Sequence, residues 1–360
     1  MKKINAIIFI VFIFGFAIFG LTSKDTQYSS SERRNLATFK PATVENVMSG
    51  DFFKSFTKYA TEQFPLRESF RAINAQTRKN LFAQQDVNGI YTSQDYIFKR
   101  DYPINDKTID NFIKKTNEVY NTYIKGKAEN YYVSVIPDKS YFDGIDVLTN
   151  DAKTVADKFT SGLEGAEYID IFDSLSLSSY YKTDSHWSQD KLFPVINTFA
   201  KQMNFPLLLE ENYEKNILNG FCGVYYGQSA LPFESENLIY MSNEVTDKAE
   251  LFNLETNSYT QIYNLDNFDS EDPYNVFSDG AAALIKIESP FARTDKELVV
   301  FRDSFGSSIA PLFLEEYSKV TLVDLRYFAS SLLSKEVNFE NADVLVLYSS
   351  LILNSDIILK

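Results

Sequence analysis

The chain has 360 residues, a formal net charge of −14 and a single cysteine, Cys222. A lone cysteine excludes an internal disulfide and any thiolate metal cluster. The acidic balance argues against binding to a phosphate backbone, so nucleic acid is not an expected partner. A chain of this length can bury one large core, or a main domain together with a small one.

The amino terminus predicts a secretory signal peptide or a membrane anchor across residues 1–22. A pair of lysines precedes an apolar run from Ala6 to Leu21, an order that both kinds of segment share. The run exceeds the apolar region of an ordinary signal peptide, and no clear Ala-x-Ala cleavage pattern follows it, which favours an uncleaved anchor. A cleaved signal is the alternative. Residues 23–44 are then a polar stalk, and the rest of the chain lies outside the cytoplasm.

Residues 45–360 predict one α/β domain. In chain order the patterns indicate two helices within 45–82 broken at Phe64–Pro65, a hairpin at 89–98, a helix at 108–123, a strand at 131–136, a helix at 151–159, a strand at 168–169 and a helix at 188–203 capped by Ser188. The helical period then fades, and turn residues with short strands indicate a β-rich insertion at about 205–290. Alternation returns with strands at 297–301, 319–323 and 343–347 and helices at 305–317 and 329–334. Alternating strands and helices predict a mainly parallel sheet covered on both faces.

The only histidine of the chain, His186, is the natural candidate for a general base. Histidine is the side chain whose ordinary pKa lies near neutrality. Asp184 stands two positions earlier and points to the same side of an extended segment, so its carboxylate can fix the tautomer of the imidazole. The ordinary alternative is a hydrogen-bonded loop histidine with no chemical role.

A candidate nucleophile follows the predicted strand 297–301. The polar step Arg302-Asp303-Ser304 leads into the predicted helix 305–317, so Ser304 lies at a strand-to-helix junction. Such a junction exposes a hydroxyl at the carboxyl edge of a sheet and aims helix amides at the same point. The layout is similar to the nucleophile elbow of hydrolases without its G-x-S-x-G pattern. The ordinary alternative is that Ser304 only caps the helix.

Both segments resemble one family pattern, in the same order along the chain. The stretch 183–187, Thr-Asp-Ser-His-Trp, resembles the Thr-Asp-x-His-Trp signature of the DHHW and alginate O-acetylation branch of SGNH-like hydrolases, and 302–308 resembles the serine block of that group. Further similar stretches are 31–37, 49–52, 63–67, 135–139 and 321–328. The chain departs from the pattern at Ser185, where the family name implies a second histidine, and 278–282 contains no asparagine to complete an oxyanion hole.

The resemblance implies a three-layer α/β/α fold of the SGNH-hydrolase type and a Ser-His-Asp triad. Ser304 would attack an acyl carbonyl, His186 would accept its proton, and Asp184 would orient His186. Oxyanion or substrate roles would fall to the Ser304 N–H together with Phe305, Gly223, Gly280, Lys139, Arg302 and Trp187. For Lys139 and Arg302 the alternative is a solvated charge at the rim of the site.

The implied function is O-acetyl transfer or acetyl-ester hydrolysis on a cell-surface or exported polysaccharide, through an acyl-enzyme and without a metal or other cofactor. The expected partners are the polysaccharide acceptor, an acyl donor, for which a membrane acyl-transfer protein is one candidate, and the membrane through the amino-terminal segment. A non-catalytic carbohydrate-binding or assembly protein on the same fold is the rival class. A metal hydrolase is more remote, because one histidine leaves only carboxylate ligands.

Overall fold

A computed structural model describes residues 2–144 and 148–360 of the chain. Contacts divide it into two compact units, one formed by the chain up to Asn88 with Tyr226–Phe233 and the other by Gly89–Tyr225 with Glu234–Lys360. The helices are α1 (Lys2–Thr22), α2 (Val44–Met48), α3 (Asp51–Glu62), α4 (Arg67–Asn80), α5 (Asp106–Val119), α6 (Ala152–Ser161), α7 (Phe193–Gln202), α8 (Val224–Ser229), α9 (Glu244–Asp247), α10 (Gly306–Phe313), α11 (Leu333–Glu336) and α12 (Ser350–Leu353).

Most strands belong to the larger unit. They are β1 (Tyr28–Ser29), β2 (Arg34–Asn35), β3 (Ile90–Ser93), β4 (Tyr96–Lys99), β5 (Asn130–Ile136), β6 (Glu167–Tyr168), β7 (Glu214–Phe221), β8 (Glu236–Ser242), β9 (Glu250–Asn253), β10 (Ser258–Gln261), β11 (Leu284–Glu288), β12 (Thr294–Arg302), β13 (Tyr317–Val323) and β14 (Asp343–Ser349).

The smaller unit is mainly helical. Helices α3 and α4 lie on either side of Phe64–Pro65, as predicted, and α2 precedes them. Phe16 of α1 stacks on Phe64 with ring centroids 5.4 Å apart. Across the residues that the structure describes, no helix combines the length and the apolar character that a membrane crossing needs. Met1 and the side chains of the two lysines that open the predicted signal or anchor lie outside the described residues.

The larger unit is built on an eight-stranded sheet in the order β10-β9-β11-β13-β12-β14-β5-β6. The pairs from β13 to β6 are parallel, which matches the predicted alternation of strands and helices. Strand β12 therefore lies inside the sheet, with β13 on one side and β14 on the other. Its carboxyl end is a position where open α/β sheets place ligand-binding and reactive groups.

Side chains that alternate along the strands feed two separate cores. Leu298 and Val300 of β12 join a core on one face of the sheet, and Val299 and Phe301 join a core on the other. The first core includes residues of α7 and α10, and the second includes residues of α5 and α6. Strands buried on both faces are expected where helices cover a parallel sheet. The predicted three-layer α/β/α class is therefore confirmed.

The region at 205–290 is not a simple excursion from the sheet. Within the described residues, strands β7 and β8 pair only with each other, as a separate antiparallel ribbon. Strands β9, β10 and β11 instead extend the main sheet in the antiparallel sense, through the pairing of β11 with β13. The sequence predicted the β-rich character of this region, but nothing local in it specifies which strands pair with each other.

Two predicted helix boundaries are wrong. The helix expected from Ser188 begins at Phe193, after a 3₁₀ turn at Gln189–Lys191, and Ser188 donates its hydroxyl to Asp190 instead of capping α7. The helix expected to reach Tyr317 ends at Phe313, and Tyr317 begins β13. Tyr317 lies on the predicted apolar face but donates its hydroxyl to Asp343 at the start of β14.

Candidate active site

Ser304 lies in the tight turn that joins β12 to α10. The strand ends at Arg302, the helix begins at Gly306, and Ser304 remains partly exposed between them. A Cβ on Gly306 would lie 2.7 Å from the Cβ of Arg302, so the turn requires glycine at this position. The serine hydroxyl is therefore presented at the carboxyl edge of the sheet, as the sequence predicted.

Asp303 fixes the shape of this turn. Its carboxylate is fully buried, and Oδ1 accepts the Phe305 N–H at 3.0 Å while Oδ2 accepts the Ser349 N–H at 2.8 Å. The two bonds tie the nucleophile turn to the end of the neighbouring strand β14. Charge-assisted bonds of this kind are stronger than neutral ones. The role of Asp303 was not predicted from the sequence, because it depends on a strand that comes 46 residues later.

The segment 180–188 forms a small closed loop that presents Asp184 and His186. Tyr180 and Trp187 pair as an antiparallel bridge, and the Tyr181 N–H donates to the His186 carbonyl at 3.0 Å. Asp184 is completely buried and His186 is 8% exposed. The i, i+2 spacing places both side chains on one side of the loop, as predicted.

Asp184, His186 and Ser304 form a continuous chain of hydrogen bonds. The Nδ1 atom of His186 lies 2.6 Å from Asp184 Oδ1, and Nε2 lies 2.7 Å from Ser304 Oγ. The other carboxylate oxygen of Asp184 accepts the Val224 N–H at 2.8 Å. A buried carboxylate beside Nδ1 favours the tautomer that leaves Nε2 free to accept a proton from the serine. The geometry thus suits a nucleophile, a base and an orienting acid.

Aromatic side chains hold the imidazole in place. The ring of Tyr274 stacks on His186 with centroids 3.9 Å apart and planes 10° apart, and Phe305 packs against the imidazole at 4.7 Å. The Tyr274 hydroxyl donates to Ser308 Oγ at 2.7 Å, and Trp187 Nε1 donates to the same oxygen at 2.8 Å. Burial raises the pKa of Tyr274 well above its ordinary value, so its hydroxyl keeps its proton. Tyr274 was missed because its segment carries no motif.

The turn leaves one backbone amide for an oxyanion. In the described part of the chain no hydrogen bond occupies the Ser304 N–H, which lies beside the N-terminus of α10. The Phe305 N–H already donates to Asp303, and the Gly223 N–H donates to Thr183 Oγ1 at 2.9 Å. Neither amide is free to bind an oxyanion in this conformation, which corrects the expected role of Phe305.

Both glycines taken from the family pattern are sites of close packing. A Cβ on Gly223 would overlap the Cα, Cβ and Oδ2 atoms of Asp184. Gly280 has a φ of +71°, its carbonyl accepts the Ser307 hydroxyl at 2.9 Å, and a Cβ there would overlap Asn275 Oδ1. Gly223 therefore permits the approach of Asp184, and Gly280 brings the Asn275 carboxamide against the loop that lacked an asparagine in the sequence.

Three residues expected to contact substrate are buried instead. Lys139, Arg302 and Trp187 have no exposed surface. The ammonium of Lys139 donates to backbone carbonyls, the guanidinium of Arg302 lies within 3.4–3.5 Å of the Ala282 and Asp303 carbonyls, and the indole of Trp187 donates to Ser308. Their place next to the site was predicted correctly, but the direction of their side chains was not. A position at a strand end does not reveal whether the side chain turns outward or into the packed layers.

The sheet, the serine turn and the Asp-x-His loop together define an SGNH-like architecture. Among solved structures, a DHHW family protein from Eubacterium siraeum matches with a TM-score of 0.60 at 16% identity, over 75% of this chain and 94% of that chain. Bacillus cereus PatB1 with a sulfonyl adduct matches with a TM-score of 0.58 at 18% identity, over 75% and 98%. The O-acetyltransferase domain of Pseudomonas putida AlgJ is more distant, with a TM-score of 0.42 at 8% identity over 74% and 93%.

No protein-family model and no curated protein matches the sequence. The likeness therefore rests on the structures alone, and at these identities it concerns the fold. At that level, the resemblance to a DHHW protein and to the SGNH-like group, predicted from the segments around His186 and Ser304, is confirmed.

Proposed function

We propose that the protein is an extracytoplasmic serine enzyme that transfers or removes acetyl groups on a cell-surface or exported polysaccharide. The observation that carries the proposal is the hydrogen-bonded chain from Ser304 Oγ through His186 to Asp184, with distances of 2.7 and 2.6 Å. A protein that only bound carbohydrate would not need a buried carboxylate aligned with its single histidine and a partly exposed serine. The motif resemblance supports the acetyl and polysaccharide parts of the proposal.

The first half of the reaction forms an acyl-enzyme. Ser304 Oγ attacks the acyl carbonyl carbon while its proton passes to His186 Nε2, and the Asp184 carboxylate stabilises the imidazolium that results. The tetrahedral oxyanion is stabilised by the Ser304 N–H and the positive end of α10. When the carbon–oxygen bond to the leaving group breaks, His186 returns the proton to the departing oxygen, and the acetyl group remains on Ser304.

The second half differs only in the incoming nucleophile. A sugar hydroxyl gives O-acetyl transfer and water gives hydrolysis, and in both cases His186 Nε2 removes the proton as the oxygen attacks the acetyl carbon. When the bond between the acetyl carbon and Ser304 Oγ breaks, His186 returns that proton to Ser304 and the free enzyme is restored. The same residues serve both outcomes, so the acceptor decides between them. Added polysaccharide that lowers the yield of free acetate while gaining acetyl esters would identify a transferase.

The test uses the full chain in a mild detergent, with an aryl sulfonyl fluoride and an aryl acetate. The sulfonyl adduct in the structurally similar PatB1 suggests the first reagent. Ser304 Oγ should displace fluoride, and intact-mass and peptide analysis should locate the added sulfonyl group on Ser304. Ser304→Ala should take up none, and His186→Ala should lower aryl acetate turnover by roughly 10²- to 10⁴-fold. The exposed Ser331 provides a matched control, because Ser331→Ala should behave like the parent.

Two results would overturn the proposal. If Ser304→Ala turns over aryl acetate as fast as the parent protein, Ser304 is not the nucleophile. If the parent protein takes up no sulfonyl group at Ser304, the carbohydrate-binding alternative is favoured. The location is tested separately by protease added to intact cells, which should digest the protein. If the protein instead remains in the cytosolic fraction, protected from the protease, both the proposed location and the proposed polysaccharide substrate are wrong.

A further inference from the structure

Two oppositely charged side chains, those of Lys139 and Glu236, form hydrogen bonds to the backbone of the loop that carries Asp184. The ammonium of Lys139 donates to three carbonyl oxygens, those of Tyr181 at 2.9 Å, Lys182 at 3.1 Å and Asp184 at 2.6 Å. An ammonium has three N–H donors, so all of them are used. Each acceptor belongs to the four-residue segment that ends at the triad carboxylate.

The carboxylate of Glu236 holds the same segment through groups of the opposite polarity. It accepts the Lys182 N–H at 2.8 Å, the Thr183 N–H at 2.7 Å and the Thr183 hydroxyl at 2.5 Å. Glu236 stands at the start of β8, whereas Lys139 follows β5. The loop is therefore fixed from two separate elements of the larger unit, one binding its carbonyls and the other its N–H groups.

Lys139 occupies an environment that is unusual for a lysine. Its side chain has no exposed surface, and its ammonium lies 5.1 Å from the ring centroid of Tyr225 and 5.5 Å from that of Phe98. Burial of a charged group costs free energy unless dipoles or charges compensate it. No carboxylate hydrogen-bonds to this ammonium in the described residues, so the three loop carbonyls accept all of its hydrogen bonds, while Asp138, Asp184 and Glu236 stabilise its charge from a greater distance. The loop geometry and the charge of Lys139 consequently depend on each other.

We propose that Lys139, assisted by Glu236, is a positioning residue that keeps Asp184 and His186 aligned on Ser304, and that it does so only while its amine is protonated. The inference rests on the proposed function, because the alignment matters only if Ser304 is the nucleophile. Loss of one proton leaves two N–H donors for three carbonyls and turns a lone pair toward the third oxygen. The carbonyl so released is free to move, and the Asp184 carbonyl belongs to the residue whose side chain orients His186.

Lys139 loses its proton at a pH that can be reached in an ordinary titration of the folded protein. Burial lowers the pKa of Lys139 to about 8, although nearby acidic groups act in the opposite direction. The protonated form therefore predominates below that pH, and the hydrogen bonds from Lys139 to the loop carbonyls weaken as the pH rises through it. The charged and titratable groups that face the ammonium or share its aromatic walls are Asp138, Asp184, Glu236, Tyr96, Tyr225 and Lys182.

The single histidine allows a direct reading of the alignment. With ¹⁵N-labelled histidine, every imidazole signal of the protein comes from His186. The imidazole ¹⁵N shifts of the parent should show a step at a pH of about 8, where Lys139 loses its proton. Lys139→Met, which keeps the volume and removes the charge, should abolish that step, and so should Lys139→Arg, whose guanidinium does not titrate in this range. The exposed lysine variant Lys201→Met should retain it.

The rate of Ser304 modification by the sulfonyl fluoride tests whether Lys139 also affects the reactivity of the serine. The parental rate should fall above a pH of about 8, and Lys139→Met should be at least tenfold slower than the parent at pH 7. In Lys139→Arg, the modification rate should no longer decrease above a pH of about 8. A parent with no ¹⁵N step near pH 8 overturns the inference, even if neither Lys139 variant folds. The inference is also wrong if a folded Lys139→Met variant shows the same Ser304 modification rate and the same ¹⁵N titration as the parent protein. If the parent is never labelled at Ser304, the proposed function fails instead, and the ¹⁵N titration still decides whether Lys139 controls the loop.

Discussion

Replacement of Gly223 by alanine should disable the site through the space it fills. Gly223 follows the end of β7, and its φ is not in the left-handed region, so the alanine backbone itself is unstrained. The new Cβ would overlap the Cα, Cβ and Oδ2 atoms of Asp184. Carbon atoms in contact prefer separations of about 3.5–4.0 Å. Asp184 must therefore retreat by about 1 Å, or the segment after β7 must move by a similar distance.

The consequence can be calculated from the bonds that Asp184 makes. Its carboxylate accepts the His186 ring N–H at 2.6 Å, the His186 backbone N–H at 3.0 Å and the Val224 N–H at 2.8 Å. A retreat of about 1 Å takes these bonds beyond ordinary hydrogen-bond length. Loss of one charged bond costs about 1.5–3 kcal/mol, which corresponds to roughly 10- to 150-fold in rate. Overpacking should lower the free energy of unfolding by about 1–3 kcal/mol in addition.

The assay measures the rate of Ser304 modification together with the denaturant midpoint. Gly223→Ala should be slowed by that factor while it still unfolds cooperatively. Gly15→Ala is the control, because a Cβ there meets nothing within 4 Å. Since the effect acts through Asp184, adding Gly223→Ala to Asp184→Asn should slow the reaction little further. A Gly223→Ala rate within threefold of the parent, or strict multiplication of the two losses in the double variant, would refute the reasoning.

Two further substitutions separate packing from hydrogen bonding around His186. Tyr274→Phe keeps the ring stacked on the imidazole and removes only the donor to Ser308, so the free energy of unfolding should fall by about 1 kcal/mol while the modification rate changes less than threefold; a tenfold slower rate would mean that the hydroxyl acts in the reaction. Trp187→Phe removes the indole N–H that donates to Ser308 at 2.8 Å and leaves a cavity beneath α10, so urea unfolding should show a loss of about 2–4 kcal/mol. An unchanged midpoint in that variant would show that the indole does not hold α10.

The sequence predicted the parts of the site that depend on local patterns. A strand followed at once by a helix places Ser304 correctly, and the i, i+2 spacing places Asp184 beside His186. The family resemblance supplied the step that local patterns lack, namely that these two segments meet although they are 118 residues apart. The three-layer class followed from alternation of strands and helices.

The features that escaped prediction depend on partners distant in sequence. Charged residues are mostly exposed, so Lys139 and Arg302 were expected to face substrate, but each is buried against backbone carbonyls supplied by other segments. Tyr274 lies in a region of short turns where no period marks it as a platform for the imidazole. The pairing of β11 with β13 was equally hidden, because an alternating run fixes which face of a strand is apolar and not which strand it joins.

The anchoring of Asp303 to Ser349 has a consequence for the order in which the protein is made. The Asp184–His186 loop leaves the ribosome well before Ser304, and the turn that holds Ser304 obtains its second support only when β14, 46 residues later, has been synthesised and has docked beside β12. A chain halted before Ser349 contains Asp184, His186 and Ser304 but lacks the Ser349 N–H that supports the turn around Ser304. The hydrogen-bonded chain of Asp184, His186 and Ser304 is therefore expected to form only after β14 has docked, late in the synthesis of the protein.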